Sequence, residues 1–299
     1  MITAKDILDY LESENMVFQF RGDFQVLVEG FSSATNYKEN TVTWFKTSQV
    51  KGNNKRKPIA LVVLQEGCEA EAKAVIEAQN SKAIFFHIIE HFFAEKKPEM
   101  AIGKGTIIGS DVKLGENVVI GNNCSIEGNI EIGEGTHIAD NVVIRNRVRI
   151  GRYCDIQSLT VIGEDGFGYS EDGFHKKTMI RHYGGVIIGD EVFIGSHVNI
   201  ARGTIDDTVI GNGVKIAPTT HIGHNNVIGN DVTIICSQLF GSVHVENNAY
   251  ITSSVIRNQC RIGEDAVVGM GSVVTKNVEQ KKTVIGVPAK EMQKNRTYI

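Results

Sequence analysis

The sequence predicts a mainly β chain: a parallel β-helix built from hexapeptide repeats, preceded by a small α/β domain. Three observations predict it. An aliphatic residue recurs at every sixth position, without a slip, through Ile102, Ile108, Leu114, Ile120, Ile126, Ile132, Ile138, Ile144, Ile150, Ile156 and Ile162. The series resumes at Ile188, Ile194, Ile200, then Ile210, Ile216, Ile222, Ile228, Ile234 and Phe240, then Val245, Ile251, Ile256, Ile262, Val268 and Val274. Glycine usually stands directly behind the aliphatic residue, which accounts for 31 glycines against only 4 prolines in 299 residues. The third observation is that residues 1–100 lack the repeat altogether. Six is neither a helical period nor simple strand alternation; it marks coils that bury their apolar residues only by stacking on their neighbours. The glycine suits a corner where the backbone needs a positive φ.

Thr3, with Asp6 three residues on, reads as the cap of an amphipathic helix carrying Ile7, Leu8 and Leu11. Strand-like runs follow at Phe18–Phe20, Val26–Glu29, Thr41–Phe45 and Ile59–Leu64. Lys51–Lys57 reads as a solvated loop. Ser81 then caps a second apolar helix over Ile84–Phe93, and Lys96-Lys97-Pro98 closes the domain. The organisation is therefore 1–100 as a small α/β domain, 101–275 as the β-helix, and 276–299 as a tail.

Composition narrows the classes of function. Hydrophobic residues at 41% and charged residues at 22% describe a folded chain with a core rather than a disordered one. With 31 Lys plus Arg against 35 acids, net −4, no basic field points to nucleic acid. No apolar run approaches the ~20 residues of a membrane span. Met1 to Asp6 lacks the order of a signal peptide, and five scattered cysteines (Cys68, Cys124, Cys154, Cys236, Cys260) form no paired framework, so a cytoplasmic home is expected.

The breaks in the repeat locate the candidate site. If residues 163–187 replace a single corner, Ile162, Ile200, Ile222, Phe240 and Ile256 share one face. Three of four irregularities then share one edge: the 163–187 insertion, the extra residues 201–209, and the shortening between Phe240 and Val245. Irregular loops on a rigid scaffold are where function concentrates. Three polar motifs belong to that edge. Asp165-Gly166-Phe167-Gly168-Tyr169 opens the long loop that ends at Gly184-Gly185; its glycines allow a close backbone approach, and its aromatics can stack on a sugar ring. Arg202-Gly203-Thr204-Ile205-Asp206-Asp207-Thr208 carries charges that either anchor substrate or pair with each other. His221-Ile222-Gly223-His224-Asn225-Asn226 brings two histidines into one corner turn, where an imidazole can accept a proton from an attacking amine near neutral pH.

With the repeat, the sequence resembles the hexapeptide-repeat acyltransferases, whose coils form a left-handed triangular prism. "DGFGY", "RGTIDDTVIGNGV" and "HIGHNNVIG" are similar to one branch, the UDP-3-O-acylglucosamine N-acyltransferases of lipid A synthesis. That resemblance implies an N-terminal uridine-binding domain, a homotrimer with sites between subunits, and His224 as the catalytic base followed by Asn225. Val42-Thr43-Trp44 stands where that family stacks an aromatic on uracil, so Trp44 is a candidate for the nucleotide base; a single core tryptophan is the alternative. Several positions depart from the family. Asn258-Gln259-Cys260 replaces a second histidine, Thr47 and Val50 replace uracil-pocket residues, and Ala217 and His221 stand where an acid and a glutamine are usual. The C-terminal helices that grip acyl-carrier protein are missing from residues 275–299. Ile285-Gly286-Val287-Pro288-Ala289-Lys290 resembles instead the coenzyme A-dependent amino-sugar acyltransferases.

These residues lead to an expected N-acyltransferase that moves an acyl group from a thioester, acyl-coenzyme A before acyl-carrier protein, to the amine of a nucleotide-linked amino sugar. No bound cofactor or metal is expected. His224 is the general base and a backbone N–H at Gly241 the oxyanion donor. Trp44, Asp165, Phe167, Gly168, Tyr169, His221 and Asn225 are the candidate substrate contacts. Three alternatives remain open. The lipid A enzyme itself would need a basic carrier-docking patch such as Lys276, Lys281, Lys282, Lys290, Lys294 and Arg296. A zinc carbonic anhydrase-like β-helix would draw on His197, His221, His224 and His244. The last is a non-catalytic scaffold.

Overall fold

The computed structural model describes residues 2–47, 58–94 and 101–291. The chain divides into two compact units, Met1–Lys97 and Pro98–Ile299. The expected loop at 51–57, the closing residues 96–98, Val50, Lys294 and Arg296 lie outside the described residues. No helix among the described residues is long and apolar enough to cross a membrane.

In the N-terminal unit, Thr3 and Asp6 form a reciprocal capping box on the helix Ala4–Ser13, which buries Ala4, Ile7, Leu8 and Leu11. The sheet is five-stranded and mixed, in the order Gln19–Gly22, Ala72–Ala78, Ile59–Gln65, Thr41–Phe45, Gly30–Phe31. The strand Ala72–Ala78 is not among the expected runs, because its alanines, Lys73 and Glu77 carry no strand propensity. Pairing decides it: it runs parallel to Ile59–Gln65 and antiparallel to Gln19–Gly22. The second helix spans Ser81–Phe92, and its cap is Asn80 rather than Ser81. Asn80 Oδ1 accepts the Ala83 N–H at 3.2 Å. The Ser81 hydroxyl is drawn inward instead: it accepts from Trp44 Nε1 at 2.8 Å and donates to Gln65 Oε1 at 3.1 Å.

The second unit is a left-handed parallel β-helix whose coils stack on three faces. Nine first-face strands, from Ala101–Ile102 to Val267–Val268, pair in parallel, and Thr283–Ile285 adds a tenth. β-structure thus continues past residue 275, and Lys290–Glu291 folds back antiparallel on Val284–Ile285. The sixth-position aliphatics form one continuous buried column, from Ile120 and Ile126 through Ile262 to Val284. Each coil buries its residues against the coils above and below, so the core is one-dimensional.

Two expectations about the repeat are corrected. Except at Gly163 (+89°), where the long insertion begins, the glycine behind the repeat aliphatic does not carry the positive φ. At Gly223 a Cβ would come within 2.8 Å of the Phe240 backbone, so glycine is required by close stacking of coils. The positive φ falls two residues later, at Asn225 (+57°). Nor is Phe240 an inward residue: Leu239 pairs with Ile222 and Ile256 in the buried column, while Phe240 is 44% exposed. The coil is shortened before Leu239, at Cys236 (φ +43°), and the next coil is shortened at Ser253 (φ +43°). The two short steps stack, with Ser253 N–H donating to the Ile235 carbonyl at 2.7 Å and Ser254 N–H to Ser237 Oγ at 3.1 Å. Adjacent coils that shorten at the same corner keep their register, which is why the shortenings lie between the first and second faces and not on the edge that carries the insertions.

Candidate functional site

Both insertions leave the prism at the corner between its second and third faces, as expected. Residues 166–185 lie between strands Val161–Asp165 and Val186–Ile188, and residues 203–207 between Asn199–Arg202 and Thr208–Ile210. The long insertion forms a hairpin, Tyr169–Glu171 against Lys177–Met179. The two insertions bond to each other: Tyr183 N–H to the Thr204 carbonyl at 2.8 Å, Gly184 N–H to the Gly203 carbonyl at 2.9 Å, and Gly185 N–H to Asp207 Oδ1 at 2.6 Å. Arg147 also pairs with Asp207.

His224 lies one and two coils beyond these loops on the same edge, half-buried. Its Nδ1 is 3.0 Å from Asn225 Oδ1. The Asn225 amide is itself oriented, since Oδ1 accepts from Thr204 N–H at 3.0 Å and Thr204 Oγ1 at 2.8 Å, and Nδ2 donates to the Asp206 carbonyl at 3.0 Å. His224 Nδ1 must therefore be the donor, which leaves Nε2 with its lone pair. An imidazole held this way can accept a proton through Nε2. Nε2 faces Gly241, which occupies the equivalent corner position one coil on: Ser242 N–H donates to the His224 carbonyl at 2.8 Å. A Cβ at Gly241 would lie 2.6 Å from His224 Nε2. The Gly241 N–H donates to no group among the described residues. Beneath the turn, fully buried Asn226 ties the corner together, its Nδ2 donating to the Gly223 and Phe240 carbonyls at 2.6 and 3.0 Å and its Oδ1 accepting from Val243 N–H at 3.1 Å.

Asp165 anchors the Gly-rich turn. Burial works to raise its carboxyl, but hydrogen bonds from Arg202 and the His182 backbone N–H, with the Arg202 charge, hold it below the ordinary carboxylate value. The Arg202 guanidinium reaches Asp165 Oδ1 at 2.6 Å. Phe167 is exposed beyond this clamp, 5.8 Å from the Tyr169 ring. Gly166 packs directly on the site: a Cβ there would stand 2.9 Å from His224 Cβ and 3.0 Å from both His224 Cδ2 and His182 Nε2.

His182 is the residue that sequence reasoning missed. It is fully buried, its ring stands at 81° to that of His224 with centroids 5.2 Å apart, and its Nδ1 is 3.0 Å from the Ile180 carbonyl. Nδ1 is thus the protonated nitrogen, and Nε2 is buried without a hydrogen-bond partner, a state that costs about 1–3 kcal/mol. The only signal in the sequence was a histidine two residues before Gly184-Gly185, with no periodicity to reveal its burial.

His221 projects outward between Asn199 and Gln238 on the second face. Burial first, and then the nearby His224, push its imidazole below the ordinary 6.5. The folded chain therefore resists a proton that the unfolded chain accepts, so this contribution to stability is complete above about pH 6.5 and shrinks as the pH falls below it. Denaturant unfolding at about pH 7.5 and about pH 5.5 is expected to show this loss in the wild type and a flatter profile in His221→Gln; equal slopes would clear His221 of the effect.

Trp44 belongs to the N-terminal unit, half-buried, its ring 6.4 Å from Phe85. The four histidines weighed as zinc ligands do not gather: His197 sits at a corner between the first and second faces, His244 on the third face, and no cluster of three ligating side chains occurs among the described residues.

Comparison with known proteins bears on this geometry. A family model described as bacterial transferase hexapeptide (six repeats) matches residues 129–164, and one described as GMPPB C-terminal domain matches residues 204–295. UDP-N-acetylglucosamine acyltransferase from Arabidopsis is 29% identical, with a TM-score of 0.55 over 68% of this chain and 73% of that one. In its repeat and its fold the chain is similar to hexapeptide-repeat acyltransferases. UDP-N-acetylglucosamine acyltransferase from Francisella novicida is 26% identical, with a TM-score of 0.59 over 65% of this chain and 71% of that one. UDP-N-acetylglucosamine O-acyltransferase from Moraxella catarrhalis is also 26% identical, with a TM-score of 0.57 over 65% and 74%. An imidazole with an available Nε2 beside a backbone N–H that is unpaired among the described residues offers what acyl transfer needs: a proton acceptor and a donor for developing negative charge.

Proposed function

We propose that this chain transfers an acyl group from a thioester to the amine of a nucleotide-linked amino sugar. The observation that carries the reading is His224, its tautomer set by Asn225 and its Nε2 directed at the Gly241 corner. The amine attacks the thioester carbonyl carbon, and His224 Nε2 takes the proton that the nitrogen loses. The oxyanion of the tetrahedral intermediate accepts a hydrogen bond from the Gly241 N–H. As the C–S bond breaks, the proton on His224 passes to the leaving thiolate. Asp165, Phe167, Gly168 and Tyr169 face the sugar side, with His221 and Asn225 lining the turn, and Trp44 takes the nucleotide base.

Coenzyme A is the favoured donor, on the Ile285–Lys290 segment; acyl-carrier protein is second, since Lys282 of the proposed docking patch is already paired with Glu291. The assembly is a homotrimer, and the cytoplasm, which supplies thioesters and leaves the five cysteines free, is its setting. A hydroxyl acceptor is the second reading, favoured by the O-acyltransferase name of the Moraxella catarrhalis relative.

Free-thiol release with acyl-coenzyme A donors and a panel of UDP- and dTDP-linked sugars, each offered as the amino and the hydroxy form, separates these readings. Release with one amino sugar and not its hydroxy counterpart is expected. Release with the hydroxy form alone would replace the amine by a hydroxyl. Release only when acyl-carrier protein is the donor would restore the lipid A reading.

A further inference from the structure

Asn225 grips the His224 ring at a single atom, Nδ1. The torsion that sets the plane of an imidazole is broad and roughly two-fold, so one hydrogen bond leaves that plane loosely defined. A base that must present a lone pair along one direction needs a second contact away from Nδ1. The structure supplies it. The His182 ring stands edge-to-face on His224, at 81° and 5.2 Å. Gly166 closes on both rings at once from the Cβ and Cδ2 side of His224. Gly241 bounds the Nε2 side.

His182 is itself held. Its Nδ1–H donates to the Ile180 carbonyl at 3.0 Å, and its backbone N–H reaches Asp165 Oδ2 at 3.3 Å. Asp165 in turn is clamped by Arg202. The ring is fully enclosed, with an unpartnered Nε2 that a hydrocarbon ring would not carry. A phenylalanine would remove that unpaired atom but lose the anchor to Ile180.

We propose that His182 is the positioning residue for His224: an imidazole pinned to the Ile180 carbonyl, whose ring fixes the plane in which the His224 ring presents Nε2 to the site. It acts through His224 and does not itself touch substrate. This proposal rests on the reading of His224 as the proton acceptor.

The test compares wild type, His182→Ala, His182→Phe and His224→Ala in the full-length protein. Steady-state kinetics are read alongside nitrogen chemical shifts of 15N-histidine-labelled enzyme. His182→Ala is expected to lower kcat by about 10–100-fold with both KM values within about threefold. His182→Phe, which restores a flat ring, is expected to recover most of that loss. The His224 nitrogens should report a single Nδ1–H tautomer in the wild type and averaging between the two forms in His182→Ala. If alanine unfolds the turn, His182→Leu fills the volume without a flat edge and serves in its place. An unchanged kcat with a single His224 tautomer overturns the proposal. So does a loss confined to KM, which would make His182 a substrate contact. Full activity of His224→Ala would instead overturn the reading of the base, while the nitrogen shifts still decide whether His182 orders that ring.

Discussion

Replacing His224 by alanine is expected to lower kcat by ~10²–10⁴-fold, the usual contribution of a positioned general base. The fold should tolerate the change. His224 is a half-buried corner residue outside the aliphatic column, and the bonds that tie its turn together come from Asn225 and Asn226 rather than from its ring. The loss should therefore appear in kcat with the unfolding midpoint close to that of the wild type. Truncation also opens a space beside Gly241 and Gly166, so added imidazole is expected to restore part of the rate. Thiol release by His224→Ala at the wild-type rate would remove this residue from the mechanism.

Gly241→Ala is expected to cost ~10²-fold in kcat through the same residue from the opposite side, the loss typical of about 1 Å of misplacement. The φ of Gly241 is not in the left-handed region, so alanine is compatible with the backbone. Its Cβ, however, would lie 2.6 Å from His224 Nε2 and 2.7 Å from Cε1. The ring must turn away, and Nε2 no longer points along the direction it has in the wild type. Activity should thus fall with little change in thermal stability. Wild-type kinetics in Gly241→Ala would mean that Nε2 is not presented across this corner.

Much of this is legible in the sequence. A coil that buries one residue in six leaves a period in the sequence that survives local variation, so the faces of the prism and the edge that carries both insertions could be read by counting. His224 and Asn225 could be read as well, because they stand in a regular turn. Counting failed where a single residue is missing. The short corner at Cys236 moves the inward site from Phe240 to Leu239, and both are hydrophobic enough to hide the shift. At the second helix two adjacent residues, Asn80 and Ser81, can each serve as the cap, and the demand of Trp44 Nε1 for an acceptor decides between them.

By itself, the sequence determined the β-helix, the edge that carries both insertions and the capped first helix, because each of these follows from local spacing repeated or reinforced along the chain. Only the tertiary structure decided that His182 stands against His224, that Gly166 packs on both rings, and that Gly241 bounds the His224 ring. Those contacts join segments brought together by the stacking of successive coils and the folding back of a non-repetitive loop, and neither leaves a period in the sequence.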